Sequence, residues 1–142
     1  MIFRAVFVGV NKQVDQTVSE LPGAKRDALT LWSLFSDTFP ELSSTLLIDE
    51  SATKEAASRA ILQALDTASD EDVIILSFAG HGTPDGGLAF YDTDSTDLSG
   101  TTLPMTILAD AFRTTKARAV LFVLDSCFSG HAPARVFEVN AT

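Results

Sequence analysis

The chain has 142 residues, room for one compact domain (1–142) and too few for two. With 46% apolar and 20% charged residues it can build an ordinary folded core. The net charge of −9 with scattered basic residues excludes a nucleic-acid surface, a single cysteine excludes an internal disulfide framework, and no apolar run reaches the roughly 18 residues of a membrane helix.

Phe3 to Val10 (Phe-Arg-Ala-Val-Phe-Val-Gly-Val) is short, rich in Val and Phe and ends in Gly and Asn, which predicts a buried strand. Met1 leads straight into it, without a basic region, an apolar run and a cleavage site. The expectation is therefore a cytoplasmic protein with a reduced thiol. Gly23 to Phe39 carries Ala24, Ala28, Leu31, Trp32, Leu34 and Phe35 at helical spacing, and Pro40 stops that helix. Ser44 to Ile48 reads as a second strand. Thr53 is placed to cap a helix with Ala56, Ala57, Ala60, Ile61, Ala64 and Leu65 on one face.

Asp72 to Ser77 is a third strand, apolar enough to be covered on both sides. It runs into the loop Ala-Gly-His-Gly-Thr-Pro-Asp-Gly-Gly. Leu88 to Tyr91 suggests a short strand and Asp92 to Thr102 a polar loop. Pro104 opens a helix to about Thr114. Ala117 to Leu124 is a fourth long buried strand, followed by Asp125, Ser126, Cys127, Phe128, Ser129, Gly130 and a tail without clear periodicity.

Strands alternating with helices predict a three-layer α/β/α fold, its parallel sheet in the order 2-1-3-4. In such sheets the functional crevice lies outside the carboxyl ends of the strands. His81 follows the third strand and Cys127 the fourth, 46 positions later. A thiol needs a base to become a useful thiolate near neutral pH, and an imidazole across the crevice can activate it and then protonate a leaving amine. Gly80 and Gly82 are expected to let the backbone bend sharply, and the N–H groups of Gly82 and Cys127 to face a developing oxyanion. An isolated Cys after a buried strand is ordinarily an inert core residue. The glycine-flanked His at the matching strand end argues for chemistry instead.

The blocks Ser77-Phe78-Ala79-Gly80-His81-Gly82 and Leu124-Asp125-Ser126-Cys127-Phe128-Ser129-Gly130, each closing an apolar strand, resemble the two signature blocks of caspase-like cysteine peptidases. The His-to-Cys separation is close to the value of about 50 typical of caspases. Asp-Ser before Cys127, where animal caspases carry Gln-Ala, makes the chain more similar to metacaspases, bacterial homologues and paracaspase-type enzymes. Leu21 to Ala28 resembles their block after the first strand, with an acidic residue just inside the helix. The resemblance implies a Cys127–His81 dyad with no third carboxylate and no cofactor required by the chemistry. It also implies a role in regulated proteolysis of cell-death or defence type, from a zymogen.

Asp27 and Asp125 are expected to reach one end of the crevice and to accept an Arg or Lys side chain before the scissile bond; the matching metacaspase positions line such a pocket. The plain alternatives are a helix-dipole carboxylate and a strand-end cap. The family usually has six main strands against four here, so a carboxyl-terminal small-subunit segment is expected as partner, pairing with the open edge of the fourth strand. The other expected partner is a peptide or protein substrate, with no nucleic acid and no membrane. His131 reads as a surface histidine, and Arg135 as a candidate processing site. Asp85, Asp92, Asp94 and Asp97 read as a solvated loop, with Ca2+ binding kept as a secondary option because some metacaspases need it. Cys127 with His131 lacks a second pair for a metal site, and the Gly80–Gly86 stretch departs from a dinucleotide fingerprint. Two other classes stay open: a catalytically silent caspase-like module serving in assembly or signalling, and a flavodoxin-like or receiver-like ligand-binding domain.

Overall fold

The computed structural model describes residues 2–126 and, in its backbone, the strand Arg135–Val139. The first half of the chain supplies β1 (Phe3–Gly9), α1 (Ala24–Thr38), β2 (Ser43–Ile48), a single turn of 3-10 helix (Asp49–Ser51) and α2 (Lys54–Asp66). The second half supplies β3 (Val73–Ala79), β4 (Gly87–Ala89), α3 (Leu98–Thr101), β5 (Thr102–Pro104), α4 (Met105–Thr114), β6 (Ala119–Asp125) and β7 (Arg135–Val139).

The main sheet runs β2-β1-β3-β6-β7, and its first four strands are parallel. This is the expected order 2-1-3-4, with β6 as the fourth long strand. Short right-handed crossovers through helices favour this arrangement. Thr53 caps α2 as its position suggested, accepting the Ala56 N–H at 3.2 Å. Ala57, Ile61 and Leu65 then recur at fourfold spacing and bury that helix face.

Two outcomes differ from the sequence reading. The segment 92–102 is not a plain loop: Asp97 caps the short α3, and Thr102–Pro104 pairs antiparallel with β4. The tail also forms a strand, β7, which pairs antiparallel along β6 from Leu124↔Arg135 to Val120↔Val139, so the edge expected to be open is occupied. Its Arg-Val-Phe-Glu-Val sequence is a short β-prone alternation, and the unpaired N–H and C=O groups of β6 give it a template.

Helices lie on both faces. One face holds the larger core, with Val6, Val8, Ile74, Leu76, Phe78, Val120 and Phe122 packed under α2, α4 and the β4–β5 pair. Phe78 meets Phe90 edge-on at 5.8 Å and Phe112 meets Phe122 at 5.6 Å. On the other face α1 lays Leu31, Trp32 and Phe35 over Ala5, Phe7 and Ile75. No described helix is long and apolar enough to cross a membrane.

Gly9, the last residue of β1, sits directly under α1. A Cβ there would lie 2.7 Å from the Ala28 Cβ and 2.9 Å from the Ala24 carbonyl oxygen. The hydrogen at Gly9 therefore lets the start of α1 come down onto the carboxyl end of the sheet.

Candidate active site

The carboxyl ends of β1, β3 and β6 are stitched together beyond the strands themselves. Val10 N–H donates to the Ala79 carbonyl at 2.9 Å, and Gly80 N–H donates to the Asp125 carbonyl at 3.2 Å. Ala79 is the register partner of Asp125. His81 thus follows two residues after the last paired position of β3, and Cys127 two residues after that of β6. Cys127 and His131 lie outside the described residues.

His81 is half-buried, and its Nε2 is 2.6 Å from the Ser19 carbonyl oxygen. A carbonyl cannot donate, so Nε2 carries the hydrogen and, in the neutral ring, Nδ1 carries the lone pair. The backbone around His81 is equally fixed. Ala89 N–H donates to the His81 carbonyl at 3.0 Å and Thr83 N–H to the Gly87 carbonyl at 2.8 Å. These two bonds flank the bridge between Gly82 and Leu88. In such a non-hydrogen-bonded antiparallel pair the N–H of Gly82 points away from its partner strand, which leaves it aimed outward as a donor.

The backbone bends at Gly80 as expected, without entering the left-handed region. Among the described residues the positive-φ glycines are Gly23 and Gly86, so no left-handed bend occurs at Gly80 or Gly82. Gly80 is needed for space: a Cβ would lie 2.9 Å from the Phe78 ring. Gly23, with φ 107°, makes the left-handed turn into α1, and its carbonyl accepts the Asp27 N–H at 2.8 Å.

Asp27 lies in the first turn of α1 and Asp125 ends β6. Their carboxyl groups meet. Partial burial pushes the Asp125 carboxyl above its ordinary value, and hydrogen bonding and like charge from Asp27 push it the same way. The two acids assigned from sequence to one pocket are therefore neighbours, and the Asp125 carboxyl keeps its proton more readily than a separate carboxylate would.

The 14-residue connection from β1 to α1, residues 10–23, delivers Ser19. At its root, Asn11 and Lys12 N–H groups donate to the buried Asp49 Oδ1 at 2.7 and 3.3 Å, and Asn11 Oδ1 accepts the Lys25 N–H at 2.6 Å. Sequence reasoning missed Ser19, and no signal could have revealed it, because the acceptor is a backbone carbonyl that any residue carries. The carboxylates of the acidic loop accept from backbone and hydroxyl groups, three of the four locally. Asp85 accepts from the Thr83 hydroxyl, Asp92 from Lys54 N–H, Asp94 from Thr96 and Asp97 from Gly100 N–H. No group of three or more potential metal ligands forms among the described residues.

The described residues thus form a parallel sheet covered on both sides, with an oriented imidazole at one strand end and a cysteine following the neighbouring strand in sequence. The caspase domain family (Peptidase_C14) matches residues 3–141, and the chain belongs to this family of cysteine peptidases. A crystal structure of protein GSU0716 from Geobacter sulfurreducens has the same fold, with a TM-score of 0.72 and 20% sequence identity over 92% of this chain. The chain spans 52% of that neighbour's length. Comparison with curated proteins returned no match.

Proposed function

We propose that this chain is the catalytic portion of a cysteine endopeptidase that cleaves after Arg or Lys, with Cys127 as nucleophile and His81 as base. The observation that carries the reading is the common register of β3 and β6, from which His81 and Cys127 depart at the same level. The Cys127 thiol gives its proton to His81 Nδ1, and the thiolate attacks the scissile carbonyl carbon. The N–H groups of Gly82 and Cys127 hold the resulting oxyanion, each worth about 3–4 kcal/mol of barrier. The carbon–nitrogen bond then breaks, the leaving amine takes the proton from the imidazolium, and water hydrolyses the thioester. Ser19 keeps the ring in the tautomer this sequence needs.

The Asp27–Asp125 pair supports the basic preference, since a cationic side chain replaces the Asp125 proton and gains two charge-assisted contacts. A carboxyl-terminal small-subunit segment supplies the rest of the substrate groove, and the enzyme works from a cytoplasmic zymogen in regulated proteolysis of cell-death or defence type.

An Arg-bearing electrophilic peptide ketone, followed by mass mapping on the full-length protein, tests the chemistry. Adduct on Cys127, lost in His81→Ala, is expected. No adduct in any form of the protein would point to the silent module instead. Matched fluorogenic peptides with Arg or Asp before the scissile bond test the pocket; a preference for Asp would remove Asp27 and Asp125 from it.

A further inference from the structure

The loop that carries Ser19 has few internal bonds and should drift, yet its carbonyl meets His81 at 2.6 Å. Val14 N–H donates to the Tyr91 carbonyl at 2.8 Å and Leu21 N–H to the Asn11 carbonyl at 2.7 Å, and between these two ties one side chain holds it. Asp15 Oδ2 accepts the Ser95 N–H at 2.9 Å, while Oδ1 accepts the Thr17 N–H at 2.9 Å and the Thr17 hydroxyl at 2.6 Å. The Thr17 and Ser95 hydroxyls lie 3.1 Å apart and close the cluster. Val18 N–H returns to the Asp15 carbonyl at 3.2 Å, which turns the chain toward Ser19.

The other side of this clasp is rigid. The buried Thr93 hydroxyl donates to the Thr101 carbonyl at 2.8 Å and accepts the Phe90 N–H at 2.8 Å. Asp94 N–H donates to the Thr101 hydroxyl at 3.0 Å, and Lys54 Nζ donates to the Gly100 carbonyl at 2.9 Å. Residues 92–101 are thus a fixed wall, and the Asp15 carboxylate is the bolt that fastens the Ser19 loop to it.

We infer that Asp15 is a positioning residue for His81, acting through the Ser19 carbonyl. The inference rests on the proposed peptidase reading for its kinetic consequence, but the ring geometry it predicts does not. The amides and hydroxyls of Ser95 and Thr17 hold the Asp15 carboxyl well below the usual carboxylate range, so the clasp stays ionised wherever a peptidase would work. Removing the carboxylate frees Ser19, and the imidazole loses the acceptor that selects its tautomer. A displacement of about 1 Å near a reacting group costs up to about a hundredfold in rate.

The experiment uses the full-length protein, with the ring-nitrogen NMR signals of His81 assigned by their loss in His81→Asn. The parent should show the Nε2–H tautomer. Asp15→Ala should bring in the Nδ1–H form and lower kcat/KM on the order of tenfold, mainly in kcat. Ser95→Pro removes the donor from the wall and should reproduce both changes. Asp110→Asn, an exposed residue paired with Arg113 on α4, should change neither. Asp15→Leu also lacks an acceptor oxygen, and its ring spectrum decides the matter if Asp15→Ala does not fold. An unchanged Nε2–H spectrum in the folded Asp15 variant overturns the inference, with or without a fall in rate. A parent with the Nε2–H ring but no turnover and no thiol labelling overturns the peptidase reading and leaves the Asp15 contact to be judged on the spectrum.

Discussion

The two faces of the sheet are built to different depths. Under α2 and α4 the residues Val6, Val8, Ile74, Leu76, Phe78, Val120, Phe122 and Leu124 are all buried. On the opposite face α1 covers the sheet's centre, burying Ala5, Phe7 and Ile75, but Leu121 and Val123 of β6 remain half-buried. Burial along β6 alternates, whereas β1 and β3 are buried almost throughout. The deep face sets stability and the shallow face holds the Asp27–Asp125 pair, because Asp27 comes from α1 and Asp125 falls on the half-covered side of β6.

That contrast can be broken in order of effect. Phe78→Ala empties the deep face beside Phe90 and should cost about 3–5 kcal/mol in denaturant unfolding. Gly9→Ala pushes α1 away from the sheet and should cost about 1–3 kcal/mol. It should also raise KM for an Arg substrate by shifting Asp27, while the Nε2–H ring signal of His81 stays unchanged. Leu121→Ala on the shallow face should cost about 1 kcal/mol or less in the 1–142 chain, since its side chain is only half out of water. If the proposed carboxyl-terminal segment covers that face, the same substitution in the full-length protein should move toward the cost of a buried leucine, about 2–5 kcal/mol.

The smallest effect is electrostatic. Because the Asp125 carboxyl is raised above its ordinary 3.8, the fold favours its protonated form. This contribution to stability is fully present below the unfolded value and is lost as pH rises through the folded one. Asp125→Asn should therefore leave stability unchanged below about pH 4 and slightly higher than wild type near neutrality. Substrate runs the other way. A bound Arg favours two ionised carboxylates and expels the proton, so KM for an Arg peptide should fall as pH rises from about 4, and Asp125→Asn should flatten that slope.

Much of the fold was legible because strand and helix periods are local: the runs at Phe3, Ser44, Asp72 and Ala117 are short and apolar, and Thr53 advertised a cap. The two-sided burial inferred from apolarity holds for β3, whereas the fourth strand, expected to be buried, alternates along β6, because composition cannot say how many layers a strand meets. Strand β7 was missed because five residues of alternation are visible only beside the edge they pair with. At the site, the neighbourhood of Asp27 and Asp125 followed from strand order. The Asp15 clasp did not, although Asp-Gln-Thr is a common Asx-turn pattern, because its partner Ser95 lies 80 positions away.

The matched ends of β3 and β6 also free the chain between them. Since the backbone ladder aligns Ala79 with Asp125, the starting level of each functional loop is metered by counting residues from the last rung. The chain between them does not set that level, although residues 87–89 brace the His81 backbone and residues 92–101 hold the Ser19 loop. Inserting a single residue between Ala79 and His81, by contrast, would move the imidazole by about 3.3 Å, roughly one strand step. Variation in such a protein should therefore accumulate as insertions in that intervening stretch outside residues 87–101, and libraries that seek new substrates can be built there while the two short spacers are kept at constant length.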